Sequence, residues 1–149
     1  MGAGTSATQL IFFITSVIIA LGVVGAMFMN IESITSAAIT GSKTLSEQLK
    51  TDITVINDPE LIPYSNGNYT FYIKNTGKEE LDIKYITVII NGSVVPDANL
   101  NKTIISGDTM WRTGDVLKID AAISLPAGSH NLRVITENGI EDNFAFRTT

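Results

Sequence analysis

Cysteine is absent, histidine and tryptophan occur once each, and no charged residue stands before Glu32. The missing thiols exclude disulfides, thiolate metal sites and thiol nucleophiles. A single histidine, His130, has no second imidazole with which to hold a metal, and its place just after the Pro126-Ala-Gly128 turn reads as structural. The acids Asp52, Asp58 and Glu60, and the later pair Asp108 and Asp115, lack the alternating-oxygen spacing of a calcium loop. Phosphate-cradling glycine clusters are missing too. Ten Lys and Arg face 15 Asp and Glu, for a net charge of −5 carried entirely beyond Ile31. Nucleic acid and anionic surfaces require a basic patch, so neither is an expected partner. These absences predict a protein that is not an enzyme, holds no cofactor and turns over no small-molecule substrate.

What is present, first, is the apolar run Leu10–Met29. A helix rises about 1.5 Å per residue, so roughly 20 apolar residues match a hydrocarbon core about 30 Å thick. A cleaved signal would have a basic start and a shorter apolar stretch. No Lys or Arg precedes this run, so a retained, single-pass transmembrane helix is predicted, with the lipid bilayer as its first partner. The first downstream cation is Lys43, behind Glu32, which favours the amino terminus inside and the large domain outside. Gly22, Gly25 and Ala26 would permit close helix approach without forming a strict Gly-x-x-x-Gly pattern.

Ile31, Ile34, Ala38, Leu45 and Leu49 continue an incomplete apolar stripe at helical spacing. An amphipathic stalk over 30–50 is expected, with Gly41 as a place to bend. Such a stripe wants a partner helix or its own domain. The predicted segments are thus a tail and transmembrane helix over 1–29, the stalk over 30–50, and a separate domain over 51–149.

From Thr51 the period becomes alternating. Thr51–Ile56 reads as a strand ended by Asn57-Asp-Pro59, and Tyr69, Phe71 and Ile73 alternate against Thr70, Tyr72 and Lys74. Asp82–Ile90 is β-branched and closes at Asn91-Gly92, a hairpin signal leading into Ser93–Val95. Further strands are predicted over 116–123, 130–136 and 140–147, the last two joined at Asn138-Gly139. About seven short strands with turns recurring every ten or so residues predict a mainly β chain, an immunoglobulin-like antiparallel β-sandwich carried by the helix.

A sandwich binds partners through an unpaired strand edge or an apolar face. Ile86, Val88 and Ile90 lie on one face of the strand whose other face, with Ile83, Tyr85 and Ile89, is equally apolar. One of the two faces therefore meets the stalk or a partner, and Ile86, Val88 and Ile90 are the candidate partner interface. Trp111, readable as a core ring or a contact ring, is included with them. Three Asn-x-Ser/Thr sequons, at Asn68, Asn91 and Asn101, are candidate glycan acceptors if the domain lies outside the cell.

Several stretches together carry a resemblance. They are Leu49-Lys-Thr-Asp-Ile-Thr-Val-Ile-Asn-Asp-Pro59, Phe71-Tyr-Ile-Lys-Asn-Thr-Gly77, Val88-Ile-Ile-Asn-Gly92, Trp111-Arg-Thr-Gly-Asp115, Gly128-Ser-His-Asn-Leu-Arg-Val and Glu137-Asn-Gly139. In this order behind an apolar helix they resemble the archaellar stator family of FlaG and FlaF, closer to FlaG. The resemblance implies a structural subunit of the archaeal swimming motor, anchored in the archaeal cell membrane with its sandwich beneath the surface layer. It implies self-assembly into a homo-oligomer, a FlaF-like partner and a grip on a surface-layer protein. The opening Gly2-Ala-Gly-Thr before an apolar helix also resembles archaellins, so an archaellin- or pilin-like filament subunit is the alternative. The basic leader expected before Gly2 in such subunits counts against this alternative by its absence here, and Thr5 or Ser6 in place of the fifth-position Glu counts against pilins only, since archaellins lack that Glu too. A membrane-anchored ligand-binding sandwich is a third reading.

Overall fold

The computed structural model describes residues 2–149, which form two compact units, one ending at Lys43 and one spanning 44–149. A single α-helix, α1, covers Gly2–Lys50. It joins the predicted transmembrane and stalk segments into one element that runs through Gly41. No residue of α1 is buried. Ile18, Phe28, Ile34 and Leu49 are all well exposed, so the apolar run and the stalk stripe alike lack cover within the chain. Where the helix crosses the apolar run, Thr15 and Ser16 return their hydroxyls to the carbonyls of Ile11 and Phe13, which hides these polar groups.

The second unit is a sandwich of two antiparallel sheets. Its strands are β1 (Ile53–Val55), β2 (Tyr64–Ser65), β3 (Asn68–Asn75), β4 (Thr87–Ile90), β5 (Ser93–Val94), β6 (Leu100–Ile104), β7 (Val116–Ala121), β8 (Gly128–Ile135) and β9 (Glu141–Thr148). One sheet runs β1-β3-β7-β6, with β2 also on β3; the other runs β5-β4-β8-β9. The predicted alternation holds in the central strands: Phe71 and Ile73 of β3, Leu117 and Ile119 of β7, and Leu132 and Val134 of β8 all point inward and are buried. Phe71 meets Phe146 of β9 edge-to-face at 5.3 Å, tying the two sheets through the core.

Two expected strands differ in detail and two were not anticipated. Residues 82–90 do not form one strand. Asp82 accepts Lys84 N–H through its side chain at 2.9 Å and starts a 3₁₀ turn over Ile83–Tyr85, so that β4 begins only at Thr87. Asn91 and Gly92 both have positive φ, 50° and 80°, as a two-residue hairpin requires. At Asn138-Gly139, by contrast, only the glycine is left-handed, and Thr136 and Ile140 close a longer loop through a 2.8 Å bond from Thr136 N–H to Ile140 O. Strand β2 arises from a further Asn-Gly turn, Asn66-Gly67, again with both φ positive. Strand β6 escapes an apolar pattern because its middle is Asn101-Lys102-Thr103.

Both long edges of the sandwich are obstructed. On β6, Lys102 turns inward and donates from Nζ to Ile86 O at 2.7 Å and to Asp97 Oδ1 at 2.8 Å. An inward charge in an edge strand deters strand addition. On the other side β1 lies beside β9: Val55 N–H donates to Asp142 Oδ2 and Arg147 N–H to Pro59 O, each at 2.8 Å.

Candidate functional site

The four residues proposed as a partner interface do not reach the surface. Ile86, Val88 and Ile90 are at most 5% exposed and face the opposite sheet, while Trp111 is fully buried. This corrects the sequence expectation. The 3₁₀ turn resets the phase of the chain, and with the sheets packed face to face Ile86, Val88 and Ile90 become core. The outward positions are Tyr85, Thr87 and the half-buried Ile89. Trp111 forms an isolated bridge with Leu81, and its indole N–H donates to Asp115 O at 2.9 Å. Its carbonyl accepts from Asn75 Nδ2, also at 2.9 Å, so the ring belongs to the floor of the sandwich.

The exposed apolar side chains of the sandwich stand elsewhere. Leu61 and Tyr64 are 75% and 59% exposed and border a recess of about 250 Å³ shared with Ile62, Tyr69, Leu125 and Arg147. Tyr64 and Tyr69 pack with ring centroids 4.6 Å apart. A second pair, Tyr85 and Val94, flanks the short β5 edge, where Lys84 Nζ lies 5.5 Å from the Tyr85 ring centroid. Sequence reasoning missed Leu61 because it belongs to no periodic run. The nearby Asn66-Gly67 dipeptide was the available signal.

The sequons separate by geometry. Asn68 opens β3 half-buried, paired with Ser65. The Asn91 amide is committed: Nδ2 bonds His130 Nδ1 at 2.8 Å, and Oδ1 accepts Asn131 N–H at 3.1 Å. Asn101 and Thr103 are exposed on one face of β6. His130 is buried, with Nε2 2.8 Å from Pro126 O and 3.0 Å from Thr148 Oγ1. Nε2 therefore carries the proton towards Pro126, Nδ1 accepts from Asn91, and the imidazole pins the last strand rather than facing a cleft.

The acids are spent on turns and pairs. Asp58 Oδ1 accepts Glu60 N–H, Asp52 Oδ2 accepts the Thr76 hydroxyl, and Asp108 lies 3.6 Å from Arg112 Nη1. Among the described residues no three His, Asp or Glu side chains converge as a metal site. On the outer face of the β3 sheet, partial burial would raise the carboxyl pKa of Asp120. The Thr70 hydroxyl at 2.6 Å and Lys118 Nζ at 2.9 Å outweigh it and hold that carboxyl below its ordinary value. The same hydrogen bond to Asp120 raises Lys118.

These features define a class: a β-sandwich whose polar groups serve its own fold, carried on a helix long and apolar enough to cross a membrane. The chain matches, over residues 2–146, the family described as archaeal-type flagellin, and it belongs to that family. It is 30% identical over 142 residues to the putative flagella-related protein G of Methanocaldococcus jannaschii, covering 93% of this chain and 92% of the relative. The protein of the same description from Methanococcus voltae is 29% identical over 143 residues, covering 92% and 93%. Among solved structures, the archaellum periplasmic stator protein FlaG of Sulfolobus acidocaldarius aligns with a TM-score of 0.49 at 18% identity, covering 64% of this chain and 99% of that one. The complex of FlaF and FlaG from that organism aligns at 0.43 and 19%, covering 61% and 90%.

Proposed function

We propose that the protein is a structural, non-catalytic subunit of the archaellum: α1 anchors it in the cell membrane and the sandwich stands outside as a stator element. The observation that carries this reading is the contrast in α1. A helix with no buried residue, apolar from Leu10 to Met29, is stable only where lipid or other helices cover it. Its relatives are described as flagella-related, which supports a role in a motility machine. Copies of the chain assemble with one another and with a FlaF-like partner, and the sandwich grips a surface-layer protein. With Ile86, Val88, Ile90 and Trp111 in the core, the contacts are assigned to exposed apolar residues, of which Leu61 with Tyr64 and Tyr85 with Val94 form pairs while Ile56 and Ile105 stand singly. Of the sequons, Asn101 is the one whose carboxamide is exposed and uncommitted, so it is the glycan acceptor. Deleting the gene should leave filament protein synthesised and the cells non-motile; a deletion strain that swims normally overturns the reading.

A second reading, the filament subunit, is favoured by one observation. The apolar stripe continues beyond membrane length through Ile31, Ile34, Ile39, Leu45 and Leu49, all exposed, as in helices that bundle. Sheared, purified filaments decide between the two: the stator reading expects the protein in the membrane fraction, the filament reading in the filaments.

A further inference from the structure

Helix α1 ends without the residues that ordinarily stop a helix, since Thr51 and Asp52 follow Lys50 where glycine or asparagine is usual. A helix leaves its last four carbonyls without intrahelical partners. At this end the sandwich helps to satisfy them. Lys50 O accepts Lys78 N–H of the sandwich at 2.6 Å, while Glu47 O is closed locally by Thr51 N–H at 3.0 Å and the Thr51 hydroxyl at 2.8 Å. Two residues beyond Lys50, Asp52 O accepts both Thr76 N–H at 3.0 Å and Gly77 N–H at 2.9 Å.

A second grip comes from the β8–β9 loop. Asn138 O accepts from Gln48 Nε2 at 3.0 Å, its Nδ2 donates to Thr51 Oγ1, and its Oδ1 accepts the Thr136 hydroxyl at 2.6 Å. The first grip is closed by Gly77. A Cβ there would fall 2.4 Å from both Lys50 O and Asp52 N, so that only hydrogen fits between the turn and the helix end. The turn is itself fixed. Asn75, fully buried, accepts Gly77 N–H through Oδ1 at 3.0 Å and donates to Glu79 O and Trp111 O at 2.9 Å.

We propose that Gly77, Asn138 and Thr51 form a socket that makes Thr44–Lys50 an integral part of the β domain, so that these residues move with the sandwich and are not a linker. A linker would need no bond beyond the chain itself. Here two separate loops of the sandwich bond to the final helical residues, and one of them is wired to the buried tryptophan. The division of the chain agrees, because Thr44–Lys50 group with the sandwich and not with the rest of α1. These are positioning residues: they hold the last turns of the helix, Thr44–Lys50, on the β domain. Their value to the cell rests on the stator reading, in which a static element must pass force without bending.

The test uses the full chain in detergent micelles and follows amide hydrogen exchange, which reports local opening. In the wild type the amides of Gly77 and Lys78 should exchange as slowly as those of β8, at least ~100-fold more slowly than an exposed loop. In the T51V/N138A double variant the amides of residues 51 and 78 should exchange at least ~10-fold faster, with Leu132 unchanged. Loop-like exchange at Gly77 and Lys78 in the wild type, or no change in the variant, overturns the socket. In cells, inserting two glycines after Lys50 should preserve protein level and filaments while swimming speed falls at least two-fold. Wild-type swimming by the insertion strain, alongside a non-motile deletion strain, overturns the coupling role. A deletion strain that swims overturns the stator reading instead, and the exchange result then judges the socket alone. If the insertion depletes the protein, exchange likewise decides.

Discussion

Helix and sandwich treat apolar residues in opposite ways. Within 44–149, Phe71, Ile73, Leu81, Trp111, Leu117 and Leu132 are fully buried, and most polar side chains inside the shell have a partner in the chain. In α1 no side chain is buried, although the helix holds the longest apolar run of the sequence. The sandwich buries an apolar core of its own, while the apolar residues of the helix stay exposed, and on the proposed reading lipid or a neighbour covers them. A structural subunit needs that division, since the domain must keep its shape while the helix is held by something else.

The contrast breaks cleanly if each half can be damaged alone. The largest effect is expected from Trp111→Ala, which empties the floor of the sandwich and removes the indole bond to Asp115. Large-to-small aromatic truncations cost about 3–5 kcal/mol, a major share of a small domain's stability. Thermal melting of the detergent-solubilised chain should show that loss, with membrane retention unaltered wherever the protein survives. Ile18→Arg should do the reverse. An arginine at mid-span costs about 2.5–3.5 kcal/mol of insertion, so the membrane-bound fraction should fall while the sandwich melts as before. Fractionation of cell extracts checks the first outcome and calorimetry the second.

Asn75→Ala sharpens the comparison inside the domain. It removes three hydrogen bonds and orphans Glu79 O, while Trp111 O keeps Leu81 N–H and Gly77 N–H keeps Asp52 O; leaving a buried group unsatisfied costs about 1–3 kcal/mol, which denaturant titration would measure. The smallest effect is expected on the solvent face. Asp120 has a lowered folded pKa, so its contribution is present above the unfolded value of about 3.9 and is lost as pH falls through the folded one. Lys118 has a raised folded pKa, so its contribution is full below the ordinary 10.5 and is lost as pH rises through the folded value. The gap in melting temperature between wild type and Asp120→Asn should therefore close on acidification below about pH 4.

The central strands were legible in the sequence because their alternation is strict: Phe71 with Ile73 and Leu132 with Val134 have no other arrangement that buries them. The helix was legible from composition alone. The interface was not. Ile86, Val88 and Ile90 look like one face of a two-sided apolar strand, but the Asp82 cap turns Ile83–Tyr85 out of the sheet and hands that face to the core. Strand β6 was hidden because Lys102 points inward, contrary to its polarity, to reach Ile86 O and Asp97. The grip of Asn138 on Thr51 joins residues far apart in the sequence, where no local pattern records it.

Carbonate extraction of membranes from cells making the native protein bears most directly on the division between an open helix and a closed sandwich. The full-length chain should remain with the lipid pellet at alkaline pH, as expected of a segment lodged in the bilayer. Quantitative release of the intact chain into the supernatant would contradict it.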